Sequence, residues 1–167
     1  MASGDTLQQF LPAMNQPPSS LFARTLVSSA ARINYLGYND TTDWKAVFPG
    51  VMPSFYAGGS VVAEIFFSMA SATTGKVRFE GSFARMSSGQ NVNSLAWSTA
   101  QAVNIASVPS SAGNILQSTI TFTAGAQISS LVAGQAFLFA LERKPSDTTN
   151  DTATGNAEVY AATLSEA

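Results

Sequence analysis

Ten acidic side chains are the strongest site chemistry in this chain of 167 residues, because it contains neither histidine nor cysteine. That absence removes the Ser-His-Asp and Cys-His nucleophiles, thiolate chemistry, and the usual ligands of zinc, haem and iron–sulfur clusters. Two loops concentrate oxygen donors: Asn39, Asp40, Thr41, Thr42 and Asp43, then Ser146, Asp147, Thr148, Thr149, Asn150 and Asp151. Such loops can hold a hard cation such as calcium, but neither has the spaced ligand series and closing Glu of an EF-hand. The same residue types build ordinary turns by bonding their own backbone. No metal and no cofactor is therefore expected.

Glycoside hydrolysis needs two carboxyls about 5–10 Å apart across a cleft. Glu64 and Glu80 qualify only if their strands are neighbours. Each alternates like a solvent-face charge, better suited to pairing with Lys76, Arg78 or Arg85 across a hairpin. No catalytic residue is assigned, and an enzyme is not expected. The segment Phe48–Gly59, with Pro49, Pro53, Phe55 and Tyr56, has two readings. Tyr56 and Trp44 could offer flat rings to a sugar, or the segment could be a buried corner leading into the next strand; packing is the commoner use of such aromatics.

The elements that must position these groups are strands. Val61, Ala63, Ile65, Phe67 and Met69 recur at every second position, and Val77, Phe79 and Phe83 alternate with Lys76, Arg78, Glu80 and Ser82. Ile115–Thr123, Ala136–Glu142 and Ala157–Leu164 repeat the pattern, with weaker versions at 31–36 and 102–108. A period of two marks half-buried strands. Ala70–Gly75 looks like a hairpin turn, Ser87–Asn93 and Ser107–Asn114 like longer loops, and Ile128–Ala133 like one helical turn. The expectation is an all-β, antiparallel β-sandwich of jelly-roll type.

Residues 1–20 read as an extended N-terminal arm ahead of a single domain at 21–167. Pro12, Pro17 and Pro18 interrupt regular pairing, while Leu7, Phe10, Leu11 and Met14 give the arm apolar teeth. Either the arm straps its own domain or it docks on a neighbour; docking is the expectation. Several strands also carry large apolar residues on their second face: Val62 and Phe66 beside Glu64, Leu138 between Phe137 and Phe139, and Tyr160 beside Val159. Only 11% of residues are charged, and two-faced apolar strands in a weakly charged chain suggest association. Leu7, Phe10, Leu11, Met14, Val62, Phe66 and Leu138 are the interface candidates. A net charge of −2 without a Lys/Arg cluster argues against nucleic acid, and no apolar run is long enough to span a bilayer.

The run from Asp43 to Met86 has Met52–Pro53, Tyr56–Gly58–Gly59, an alternating strand, and Ser71–Ala72–Thr73–Thr74–Gly75 leading to Val77. Later come Leu131–Ala133–Gly134–Gln135, Glu142–Arg143, the Ser146–Asp151 loop and Thr154–Gly155–Asn156–Ala157, and the chain opens Met1–Ala2–Ser3–Gly4–Asp5–Thr6–Leu7. Together these resemble small virion structural proteins of tailed bacteriophages. The resemblance implies a homotrimeric capsid cement (decoration) protein on the capsid surface, made in the host cytoplasm and contacting the major capsid protein. The alternative within it is a fibre or spike domain that binds a receptor glycan, with Trp44, Tyr56 or Trp97 on the saccharide.

Overall fold

A computed structural model describes residues 4–28, 30–105 and 107–167. The opening Met1–Ser3, and Ala106 of the 102–108 segment, lie outside the described residues. Among the described residues, ten strands form two antiparallel sheets packed face to face, as the alternation predicts. In chain order they are β1 (Thr6–Phe10), β2 (Arg24–Val27), β3 (Asn34–Tyr38), β4 (Trp44–Val51), β5 (Val61–Met69), β6 (Val77–Met86), β7 (Gln101–Ile105), β8 (Leu116–Phe122), β9 (Ala136–Arg143) and β10 (Ala157–Glu166). The larger sheet runs β2-β3-β10-β5-β8, with β1 also on β10, and the smaller runs β4-β9-β6-β7. The fold is an all-β, jelly-roll-like sandwich.

The core lies between the sheets and is built largely of phenylalanine. Phe83 meets Phe122 of the opposite sheet edge-on at 4.9 Å between ring centroids, and Phe67 meets Phe79 at 5.3 Å. Gly81 makes room for this packing: a Cβ there would sit 2.7 Å from the tip of the Phe122 ring. Interior packing at this density leaves no slack for an added methyl group.

Two expectations about connections change. Ala70–Gly75 is not a hairpin, because β5 and β6 belong to different sheets; it carries the chain across the sandwich. Gly75 has φ +98°, and a Cβ there would meet the Ala153 backbone at 2.8 Å, so only glycine fits this tight crossing. The helical turn expected near Ile128 is a 3-10 turn at Ala126–Ile128.

The N-terminal arm straps its own domain, where docking on a neighbour was expected. β1 pairs with β10, and Leu7 and Phe10 are buried in the domain's own core. The Phe10 ring stacks on Phe48 at 5.0 Å and Phe139 at 5.6 Å. Pairing survives because every proline follows β1, and Pro12 opens a 3-10 turn where a missing N–H costs nothing. The chain then closes the open edge of β4. Asn15 Oδ1 accepts from Val47 N at 3.0 Å, and Lys45 N donates to Leu21 O at 2.9 Å. Met14 packs half-buried against the core and Leu11 stays exposed.

Candidate functional site

Because Val61, Ala63, Ile65, Phe67 and Met69 point inward, Val62, Glu64, Phe66 and Ser68 must face outward from the larger sheet. Phe66 stands opposite Gln117 of β8 and Ala161 of β10, and Leu26 of β2 stands opposite Tyr35 of β3. A register shift between Val159 and Ala161 puts the extra residue, Tyr160, between these pairs. The Tyr35 and Tyr160 rings lie 6.1 Å apart, tilted by 58°. Leu26, Tyr35, Tyr160, Phe66 and Gln117 therefore form one row across five strands, about 19 Å long at roughly 4.8 Å per strand. Among the described residues, no helix or strand is layered over it.

Polar groups flank this row on both sides. Tyr160 OH donates to Glu158 Oε2 at 2.9 Å, Ser68 Oγ donates to the same oxygen at 3.2 Å, and the two hydroxyls are 2.9 Å apart. On the other flank Gln117 Nε2 donates to Glu64 Oε1 at 2.8 Å, and Thr163 Oγ1 to Glu64 Oε2 at 3.4 Å. Thr119 stands beside Glu64 in register. Burial raises the Tyr160 hydroxyl above its ordinary value of 10.0; the Glu158 charge adds to this and the Ser68 hydrogen bond opposes it. Burial and then Glu158 raise Tyr35 likewise. Both phenols are held in the protonated form.

The row opens into a groove at one point. β3 pairs with β10 at Ala157–Val159 and β1 pairs with it at Ala162–Ser165, on the same edge, which leaves a gap at Tyr160. That gap is a groove of about 370 Å³ lined by Leu11, Pro12, Ala13, Ile33, Asn34 and Tyr160.

The outward face of the smaller sheet is different. Lys45, Glu142 and Glu80 stand in one row across β4, β9 and β6. Lys45 Nζ is 3.5 Å from Glu142, Arg78 reaches Glu80 at 2.7 Å and Asp147 at 3.3 Å, and Lys144 Nζ reaches Asp43 at 2.6 Å. Trp97 bridges to Ala84 and its ring comes within 5.9 Å of Lys45 Nζ, so the indole lies along this face.

The other candidates fall as follows. Val62 and Phe66 lie on the aromatic-row face, half-buried, and Leu138 lies half-buried on the opposite one. Tyr56 is 5% exposed, and its hydroxyl donates to Gly59 O at 2.5 Å, so it is the buried corner and not a sugar platform. Glu166 holds that corner by accepting from Gly59 N at 3.0 Å. Trp44 lies at the sandwich edge under the Arg24 guanidinium, 5.1 Å from its ring centre. The acidic loops are turns. Asn39 Oδ1 caps Thr41 and Thr42, Asp147 caps Thr149 and Asn150, and Asp43 takes the Ser146 hydroxyl at 2.7 Å. Asp151 receives a two-pronged bond from Arg143, at 2.8 and 3.0 Å. Arg143 is fully buried and also donates to Ala153 O and Gly155 O. Among the described residues no three His, Cys, Asp or Glu residues come together as a metal site.

No protein-family model and no curated sequence matches the chain. Solved structures match it over nearly its whole length. The C-terminal CBM6 of the marine laminarinase LamC from Zobellia galactanivorans is 16% identical, with 95% of this chain and 98% of that one covered, at a TM-score of 0.50. A xylan-binding module, CBM15, is 12% identical over 96% and 97%, at 0.51. A putative sugar-binding protein from Bacteroides thetaiotaomicron is 12% identical over 96% and 88%, at 0.50. These likenesses define the class of fold: the β-sandwich on which sugar-binding modules are built.

This corrects the resemblance to tailed-bacteriophage virion proteins, because the folds that match are sugar-binding modules and not virion components. The capsid cement function goes with it, as do the homotrimer, the capsid partners and the virion location. The motifs behind the resemblance are turns and crossings, Ser71–Gly75 and Thr154–Asn156, which any sandwich of this size requires. Glu64 and Glu80 lie on opposite outer faces, never across one cleft, so they do not form the carboxyl pair that glycoside hydrolysis needs.

Proposed function

We propose that this domain binds glycan chains through the outward face of its larger sheet. The observation that carries the reading is the row of Tyr35, Tyr160 and Phe66 across an uncovered sheet, flanked by Glu158, Ser68, Glu64, Gln117 and Thr163. Sugar rings present apolar C–H faces and a rim of hydroxyls. Aromatic side chains with polar handles match the first, and carboxylates and amides with spare acceptor and donor capacity match the second. A span of about 19 Å, at roughly 4.8 Å per strand, suits several sugar units more than a single one. The likeness to sugar-binding modules supports the same assignment.

The test is affinity electrophoresis through gels containing soluble neutral polysaccharides, such as a β-glucan or a xylan. The wild-type domain is expected to be retarded by at least one of them. Tyr160→Ala should lose at least tenfold in affinity, while Trp97→Ala, on the opposite face, should keep it. Equal loss from Trp97→Ala, or none from Tyr160→Ala, moves the site elsewhere.

A further inference from the structure

We infer that Glu64 and Glu158 are specificity-determining residues that restrict this face to uncharged glycans and exclude those bearing carboxylate or sulfate groups. The inference rests on the glycan reading above and deepens it.

The two carboxylates differ from most others in the molecule. Asp43, Glu80, Glu142, Asp147 and Asp151 each lie within 4.0 Å of a lysine or arginine nitrogen. Among the described residues, Glu64 and Glu158 accept only from neutral partners, Gln117 and Thr163 in one case, Ser68 and Tyr160 in the other. Between β3 and β8 none of the outward positions, on β3, β10, β5 or β8, carries a cation. Arg24, at the margin on β2, is turned to the Trp44 ring. The aromatic row thus runs between two negative charges that nothing on its own face neutralises.

Both charges act on a ligand lying along the row. A carboxylate can accept about four hydrogen bonds, and each of these has part of that capacity engaged, so ligand hydroxyls can donate to the rest. A ligand anion meets repulsion instead. At about 6–7 Å in water, each unit charge weakens an anionic unit's binding by roughly threefold at low ionic strength. Two together give about tenfold, and the effect fades as the screening length falls to about 3 Å in 1 M salt. Glu80 carries the same formal charge on the other face, paired to Arg78, and contributes nothing to this discrimination.

The experiment uses a neutral polysaccharide that retards the wild-type domain and the same polymer after carboxymethylation. At low salt the neutral form should bind about tenfold more tightly. The ratio should shrink toward one in 1 M NaCl and in the Glu64→Gln/Glu158→Gln double variant. Glu80→Gln, which removes one negative charge from the opposite face, should leave the ratio where it was. Equal binding of the two polymers by the wild type overturns the inference while leaving the glycan reading intact, and so does a ratio that the double variant does not change. Retention of neither polymer defeats the glycan reading and this inference with it. Circular dichroism of the double variant separates lost folding from lost discrimination.

Discussion

The two sheets of this sandwich handle charge in opposite ways. Every ion pair among the described residues belongs to the smaller sheet and its loops, from the half-exposed Lys45–Glu142 pair to the buried Arg143–Asp151 fork. The larger sheet has none; its outward carboxylates are held by hydroxyls and an amide, next to three aromatic rings. Both sheets follow the same alternation, so the difference arises from what stands on the outward positions. A face whose charges are paired to one another has satisfied its own strongest groups. A face that pairs carboxylates only with neutral donors, and leaves rings half-covered, still has capacity to offer a ligand.

The largest expected effect lies on the self-satisfied side. Arg143→Met removes one partner of a fully buried pair and leaves Asp151, 6% exposed, without its guanidinium. Breaking a buried pair in this way costs about 3–5 kcal/mol. For a domain of this size that is roughly a 10 °C fall in melting temperature, readable by calorimetry. Adding Asp151→Leu should recover part of the loss, because the stranded charge goes with it. If the single variant melts like the wild type, the fork is not what holds the loop before β10.

On the other side the expected effect is on binding and not on stability. Tyr35→Ala and Tyr160→Ala should each weaken glycan retention by about tenfold, some 1.4 kcal/mol, with circular dichroism unchanged. A melting shift as large as that of Arg143→Met would make the tyrosines structural.

Much of this contrast was legible in the sequence, and it is clear why the rest was not. Strict alternation located β5, β6, β8, β9 and β10, and the apolar residues on their second faces included Phe66 and Tyr160, both in the aromatic row. In the sequence they read as an association surface, since single-strand patterns do not reveal that Tyr35, Tyr160 and Phe66 meet only when β3, β10 and β5 become neighbours. Arg143 had a readable signal: it continues the inward series Phe137, Phe139, Leu141. β4 was missed because Pro49 interrupts it, which an edge strand tolerates. β1 was missed because its proline-rich sequel hid the short strand within the arm.

A smaller effect follows from titration. Burial alone would raise the Asp43 carboxyl, but hydrogen bonds from Lys144 and Ser146 and the Lys144 charge outweigh it and hold the group below 3.8. A carboxylate lowered in the folded state stabilises above its unfolded value, and that contribution is lost as pH falls through the folded one. For Lys144, burial is outweighed by the Asp43 hydrogen bond and the charges of Glu142, Asp43 and Glu80, which raise it above 10.5. Its contribution is complete below its unfolded value and lost as pH rises through the folded one. Asp43→Asn should therefore flatten the stability profile at both extremes, by no more than about 1 kcal/mol in a half-exposed site. Melting curves from pH 2 to 12 check it.

The smallest effect is Lys45→Ala. This half-exposed pair with Glu142 should cost a few tenths of a kcal/mol to about 1 kcal/mol, and less in high salt. Glycan retention should not change; if it falls with the melting temperature held, the smaller sheet's face takes part in binding.

The position of β10 has a consequence for synthesis. It sits in the middle of the larger sheet, between β5 on one side and β1 and β3 on the other, yet it follows all of them along the chain. Until the ten residues of β10 leave the ribosome, β3 and β5 have no partner between them, and their unpaired edges and apolar inner faces stand open to water. The aromatic row cannot exist before that moment either, since Tyr160 arrives with the same strand. Folding dominated by such distant pairings runs in about milliseconds to seconds. The nascent domain therefore passes through a stage in which its other nine strands are made while their central partner is missing, adhesive and without its aromatic row, and a single late strand ends these conditions together.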